Sequence, residues 1–504
     1  MFLDIDQKNN DRPAAIAADG GTLTYGELIR QSEVLEQRIG TRNLGFILCR
    51  NRLGALAAYV SMMNTENVPL LLSADMDREL LEELLATYHP GFVCCPDDMG
   101  DEMGAVLNRL QDRSTSKQEN GREQFGAKAE MPWHDEAGLQ EPVLNCLDYV
   151  FLRTSWEKTE LHDSLALLLT TSGSTGSPKL VRQSMTNVVS NAAAIAEYLE
   201  LDETERPITM LPMNYTYGLS VINSHLLVGA TILMTESSYA QKPFWDFFKD
   251  QKATSMAGVP FTYEILKKLR FFRMELPSLR YMTQAGGKLL PELHREYAEY
   301  AKNSGKRFYV MYGQTEATAR MAYLPCERSL EKYGSMGIAI PGGEFSLIDV
   351  NGDPITDEDV VGELVYRGPN VTLGYAERLD DLKKGDERNG LLVTGDMAKR
   401  DAEGFYYIVG RKKRFLKIYG NRVNLDECER MLQGQFPESE TACVGEDDHM
   451  RIYLTVQGLE REVIRFLSEK TGLNFKAFDA CYIPEIPKND SGKKNYQALA
   501  EGEG

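Results

Sequence analysis

One stretch of this chain has the residue types and spacing to hold phosphate: Thr170-Thr171-Ser172-Gly173-Ser174-Thr175-Gly176-Ser177-Pro178-Lys179. Gly173 and Gly176 let a backbone approach an anion closely. Thr171, Ser172, Ser174 and Thr175 supply hydroxyl donors, and Lys179 supplies a positive charge. A flexible Ser/Gly connection is the plainer reading, but such linkers seldom stand between an apolar run and an amphipathic one. A Walker-type loop fits poorly, because the glycine spacing differs and no Gly-Lys-Ser/Thr follows.

Such a loop needs a strand to deliver it and a helix to receive it. The apolar run Leu165-Ala166-Leu167-Leu168-Leu169 predicts a buried strand before it. Beyond it, Ser184 is placed to cap a helix with Val188, Val189, Ala192, Ile195 and Leu199 on one face. Upstream, strand patterns at 45–49, 68–72 and 92–95 alternate with helical ones at 23–39, 53–63 and 78–85, the order of a doubly wound α/β domain. Two further strands run into glycine turns: 280–284 into Ala285-Gly286-Gly287, and 308–311 into Tyr312-Gly313-Gln314-Thr315-Glu316. In open parallel sheets ligands bind beyond the carboxyl ends of strands, so three loops are expected to face one crevice. Residues 335–343 and 362–370 read as short strands of a β-rich subdomain. The polar run from Gln111 to about Asp135 reads as a mobile surface excursion.

These motifs resemble, in order and almost end to end from Leu23 to Lys493, those of the adenylate-forming enzymes. That superfamily includes acyl-CoA synthetases, peptide-synthetase adenylation domains and firefly luciferase. The resemblance implies a large N-terminal domain (1–412) of doubly wound α/β subdomains plus a small β-rich subdomain, and a small, mobile α+β C-terminal domain (413–504), with a hinge at Lys413. It implies ATP, Mg2+ and a thiol co-substrate, coenzyme A or phosphopantetheine. Tyr312, Gly313 and Gln314 would border the adenine with Ala285, Gly286 and Gly287. Thr315 would donate to the α-phosphate, Glu316 would hold the magnesium ion, and Asp396 and Arg411 would bind the ribose. Gly420 would line a thiol channel, and Lys493 would be the catalytic lysine. By itself a Thr-Glu pair is a helix-start cap, and a Thr-Gly-Asp is a turn.

Asn214, Tyr215, Thr216, Tyr217 and Gly218 fall where relatives build the acyl-pocket wall. Amino-acid-activating members carry an Asp at about Thr216, and a neutral Thr would not offset the desolvation of a buried ammonium. An uncharged acyl or aryl acid is therefore expected. Tyr215 and Tyr217 are equally readable as packed aromatics. The basic run Arg411-Lys412-Lys413-Arg414 could meet the phosphates of coenzyme A, although for Lys412 and Arg414 a solvated linker is the simpler expectation.

Composition bounds the alternatives. A balance of 56 basic and 75 acidic residues, a net charge of −19, argues against a nucleic-acid surface. Eight scattered cysteines without metal-ligand spacing read as reduced thiols. No signal-peptide pattern or membrane-length apolar run is found, so a cytoplasmic enzyme is expected. The function expected is activation of a carboxylic acid to an acyl-adenylate, then transfer to a thiol, with coenzyme A ahead of an acyl carrier protein; adenylation of an amino acid for a carrier is a third reading, disfavoured by Thr216. A non-catalytic nucleotide-binding relative is the alternative class.

Overall fold

The computed structural model describes residues 1–119, 143–170, 179–419, 421–488 and 494–500; the side chains of 111–119 and Arg422 lie outside that description. The chain divides into two compact units. One comprises the described parts of 1–171, 179–343 and 367–391; the other comprises 344–366 and the described parts of 392–504.

An eight-stranded mixed sheet organises the first unit. Leu44–Cys49 pairs parallel with both Val68–Ser73 and Phe92–Pro96, and Val68–Ser73 pairs parallel with Leu167–Thr170. Successive side chains of a strand point to opposite faces, so each of these apolar runs feeds two cores. Ile47, Leu71, Cys94 and Leu169 pack with the Leu53–Asn64 helix on one side. Phe46, Leu48, Leu70, Leu72, Val93 and Leu168 pack with Leu81, Leu84 and Leu85 of the Arg78–Tyr88 helix on the other. The Tyr25–Ile39 helix starts on a capping box in which Thr24 and Glu27 satisfy each other's backbone.

A second sheet in this unit has five strands. Ser255–Gly258, Tyr281–Gln284 and Arg307–Tyr312 are parallel and in step, with Gly258 opposite Gln284 and Gln284 opposite Val310. Ser255–Gly258 and Tyr281–Gln284 therefore end level, and Arg307–Tyr312 runs on past them from Val310 to Tyr312. Ile338–Ala339 closes the same sheet against Ala322–Tyr323, so residues 335–343 do not join the β-rich subdomain that the sequence suggests. The polar run is also corrected in part. Its first residues, up to Glu119, continue the Gly100–Glu119 helix, and 120–142 lie outside the described residues.

The second unit contains a five-stranded sheet in the order Pro354–Ile355, Glu344–Ile348, Gly362–Arg367, Leu391–Arg400, Tyr406–Arg411, with both outer pairs antiparallel. It also contains an α+β portion. There the Phe415–Ile418 and Asn421–Asn424 hairpin, the Thr441–Glu446, His449–Leu454 and Phe478–Tyr482 strands, and the Leu425–Gln435 and Glu460–Thr471 helices share a core around Leu432, Ile452 and Leu467. No described helix is long and apolar enough to cross a membrane. All eight cysteines are free.

Candidate active site

The strands flanking the expected phosphate loop, Leu167–Thr170 and Leu180–Gln183, pair antiparallel, with Thr170 opposite Leu180. The sequence pattern runs the loop directly into the helix; in the structure a strand intervenes. The helix itself, Met185–Leu199, starts as expected on Ser184, which accepts from the Asn187 backbone N–H. Thr171, Ser172, Gly173, Ser174, Thr175 and Gly176 lie outside the described residues, as do Gly420 and Lys493. Lys179 is described: its Nζ lies 2.7 Å from Glu377 Oε1 and 5.5 Å from the centre of the Tyr375 ring.

Strand Arg307–Tyr312 delivers the Tyr312–Glu316 turn. Tyr312 is half-buried, and its hydroxyl accepts from Gln314 Nε2 at 3.1 Å. Gly313 has a packing reason of its own, because a Cβ there would lie 1.6 Å from the carbonyl oxygen of Ala319. Thr315 and Glu316 open a single helical turn, after which Thr318 and Ala319 take positive φ and reverse the chain. Residues that sequence reasoning missed hold Glu316. The Tyr375 hydroxyl donates to Glu316 Oε1 at 2.7 Å. The Glu316 carbonyl accepts from Thr372 N at 3.1 Å, Thr372 Oγ1 at 2.9 Å and Arg388 Nη1 at 3.0 Å. Burial first, and then the Glu316 carboxylate, push the Tyr375 hydroxyl up to about 12, so it remains a donor at neutral pH.

The expected acyl wall is more helical than the sequence suggests. Thr216, Tyr217 and Gly218 are the first residues of the Thr216–Leu227 helix rather than a loop ahead of it. Tyr217 is a packed aromatic whose hydroxyl meets the Thr283 carbonyl at 2.9 Å and its Oγ1 at 2.8 Å. Gly218 lets the helix pass the Pro212 carbonyl, which a Cβ would meet at 2.3 Å. Tyr215 is half-buried, and its hydroxyl abuts Gly286 where a Cβ would come within 2.6 Å. That contact and a φ of +84° account for Gly286, while Ala285 is buried and Gly287 packs on Pro260. Thr216 lines a small cavity with Gln183, Asn191, Ser220 and Asn223, and among the described residues that line it none is acidic. Gln183 Oε1, Asn191 Oδ1 and Asn214 Oδ1 are buried there or close by in sequence without a hydrogen-bond partner among the described residues. Sequence reasoning also missed Arg320, buried beside this wall with its guanidinium 5.0 Å from the Tyr217 ring centre and its Nε donating to Ser220 Oγ at 3.1 Å. A larger cleft of about 920 Å3 between Asp19, Arg52, Asp148 and Glu236 contains none of the expected site residues.

In the second unit, Thr394-Gly395-Asp396 is not a turn after a strand but part of the ten-residue strand Leu391–Arg400. Its register sets Asp396 opposite Arg411, and Arg411 Nε reaches Asp396 Oδ1 at 2.7 Å. Asp396 is buried, so its carboxylate is fixed in direction. Within the basic run Arg411, Lys412 and Lys413 are exposed and only Arg414 is less solvated than expected. Lys412 Nζ pairs with buried Glu363 at 2.7 Å. Arg414 is almost enclosed, with Nε 2.8 Å from Asp426, Nη2 2.6 Å from Glu429 and its guanidinium 3.7 Å from the Tyr496 ring centre. Lys413, between them, is exposed. Among the described residues no group of three or more His, Cys, Asp or Glu is placed to hold a metal ion.

A family model described as AMP-binding enzyme matches residues 3–376. The chain belongs to the AMP-binding enzyme family. Curated relatives include a 2-succinylbenzoate–CoA ligase of Bacillus mycoides, 29% identical over 350 residues, which are 67% of this chain and 70% of that protein. They also include an oxalate–CoA ligase of Arabidopsis thaliana, 28% identical over 353 residues, 67% of this chain and 68% of that protein. Among solved structures, o-succinylbenzoate CoA synthetase from Bacillus subtilis with its acyl-adenylate intermediate aligns with a TM-score of 0.75 at 21% identity, covering 99% of this chain and 97% of that one. ATP-bound MatB from Rhodopseudomonas palustris aligns at 0.73 and 21% identity, covering 99% and 98%. These structures share the fold: a large N-terminal α/β portion followed by a smaller C-terminal one.

Proposed function

We propose that this member of the family activates a carboxylic acid with ATP and passes the acyl group to coenzyme A. The observation that carries the reading is the arrangement around the Gly374–Ala376 strand, where Glu316 and Lys179, an acid suited to a cation and a base suited to phosphate, are held beside one tyrosine. In the first step a carboxylate oxygen attacks the α-phosphorus, the bond to pyrophosphate breaks, and an acyl-adenylate forms. In the second, a thiol attacks the acyl carbonyl and AMP leaves.

Each residue has a task in this reading. Lys179 and the 171–176 loop hold phosphate oxygens, Thr315 donates to the α-phosphate, and Lys493 meets the charge that develops there. Fixed donors aimed at developing charge are usually a large part of catalysis. Tyr312, with Ala285, Gly286 and Gly287, borders the adenine, and Asp396 with Arg411 takes the ribose. Glu316 would hold magnesium, and a carboxylate with one oxygen bonded to Tyr375 keeps the other for a cation. That ion, when bound, neutralises phosphate charge and takes most of its other ligands from water and ATP. Asn214, Tyr215, Thr216, Tyr217 and Gly218 form the acyl side. Thr216 is neutral where amino-acid-activating members carry an acid, and neither acid named for the relatives has an α-amino group, so the substrate class is a non-amino carboxylic acid. Coenzyme A is the acceptor favoured by the names of those relatives, with Gly420 on the path of its thiol. Free cysteines suit a reducing cytoplasm.

Lys413 is the hinge in this reading, dividing 1–412 from 413–504. An exposed charge can stay solvated while the backbone turns. The test follows pyrophosphate release and thioester formation separately. Wild type is expected to perform both with one acid class and coenzyme A, whereas Lys413→Pro keeps pyrophosphate release and loses the thioester. Equal loss of both steps contradicts the hinge, and no thioester with coenzyme A from the wild type contradicts the acceptor.

A further inference from the structure

The strand Gly374–Ala376 pairs antiparallel with Leu180–Gln183, with Tyr375 opposite Val181 and Ala376 opposite Leu180. One step further along the ladder, Glu377 meets Lys179 as an ion pair at 2.7 Å. Residues two apart on a strand share a face. Tyr375 therefore stands beside that pair, with Lys179 Nζ 5.5 Å from its ring centre and the Arg388 guanidinium 4.7 Å from it. From the middle of this group its hydroxyl reaches Glu316 Oε1 at 2.7 Å.

Arg388 and Thr372 fix only the backbone of Glu316, through its carbonyl oxygen. The carboxylate lies at the end of three rotatable bonds, and the Tyr375 hydroxyl sets where its second oxygen points. Groups that orient a metal ligand in this way are typically worth tenfold to a hundredfold in metal affinity. The task falls to a residue 59 positions later in the chain than the acid it orients.

We propose that Tyr375 is a positioning residue that aims the Glu316 carboxylate at the nucleotide-bound metal, and that it does so from a strand zipped to the one that starts directly after Lys179. The inference rests on the reading of Glu316 as the metal-binding carboxylate. It adds that the acid and the base of the site are set by one edge strand rather than by their own loops.

Tyr375→Phe removes a single oxygen and keeps the ring against Arg388 and Lys179. The probe is Mn2+ titrated into full-length protein with excess ATP and followed by electron paramagnetic resonance, with ATP affinity in EDTA measured alongside. Tyr375→Phe is expected to weaken Mn2+ binding about tenfold or more and to change metal-free ATP affinity less than twofold. Glu316→Gln is expected to weaken Mn2+ at least as much, and adding Tyr375→Phe to it to cost nothing further, since both changes act through one carboxylate. Equal Mn2+ affinity in wild type and Tyr375→Phe, or full additivity of the two changes, overturns the inference while leaving the nucleotide reading standing. A wild type that takes up no Mn2+ with ATP overturns both. Parallel weakening of metal-free ATP binding marks a general disturbance of the site and also overturns it.

Discussion

Asp396 and Arg411 face each other because a ladder register sets them opposite, and the resulting 2.7 Å ion pair leaves a buried carboxylate aimed in one direction. An ionised carboxylate is an acceptor only, which suits the two hydroxyls of a ribose. Asp396→Ala is therefore expected to lower affinity for ATP by roughly tenfold or more, the scale of two lost charge-assisted hydrogen bonds. The same variant should bind 2′,3′-dideoxy-ATP about as well as the wild type does. Calorimetric titration with both nucleotides checks this, and a variant that still discriminates between them would contradict the ribose assignment. Around Glu316 the single-residue view is less complete, because its carboxylate, its carbonyl and the nearby Lys179 are held by Tyr375, Thr372, Arg388 and Glu377, none of which lies in a motif of its own.

At the scale of elements, the turn after Arg307–Tyr312 depends on close backbone approach. A Cβ on Gly313 would lie 1.6 Å from Ala319 O and 2.6 Å from Ala319 C, atoms of a main chain already held at positive φ. Gly313→Ala is expected to cost about 3 kcal/mol, at the upper end of ordinary overpacking, because backbone must shift. Thermal unfolding followed by circular dichroism should show a midpoint several degrees lower, and an unchanged midpoint would contradict the account. The strands of the large sheet are legible in the sequence where burial is two-sided, as at Leu44–Cys49, Val68–Ser73 and Phe92–Pro96, since such strands read as continuous apolar runs. Leu180–Gln183 is not, for a physical reason. It contains Arg182, fully buried yet paired with Glu387 more than two hundred positions away, and no local pattern announces a buried charge whose partner is remote. Ile338–Ala339 reads as part of the wrong sheet because a two-residue strand takes its place from register, not from its own composition. Arg414 resembles part of a solvated linker for the same reason that Arg182 escapes notice. Its partners Asp426 and Glu429 lie elsewhere in the sequence.

At the scale of the whole molecule, the sequence motifs give the α/β class and the family, and a family match over residues 3–376 agrees with them. Packing divides the chain differently from the expected boundary at Lys413, grouping the five-stranded sheet of 344–366 and 392–411 with the C-terminal α+β portion. The two divisions answer different questions, one about which residues pack together and one about where the backbone is expected to turn. Which carboxylic acid is activated is not legible in the sequence, since the surroundings of the proposed acyl residues Tyr215 and Thr216 include side chains such as Gln183, Asn191 and Arg320 that belong to separate elements. The central claim is that the protein forms acyl-adenylates, and the most direct test is acid-dependent release of pyrophosphate from Mg-ATP, trapped with hydroxylamine, across fatty, aryl, hydroxy and amino acids. Release with one non-amino class, reduced by roughly a hundredfold or more in Lys493→Ala, is the result predicted. Silence across the panel in a protein that binds ATP, or release that Lys493→Ala leaves intact, would contradict it.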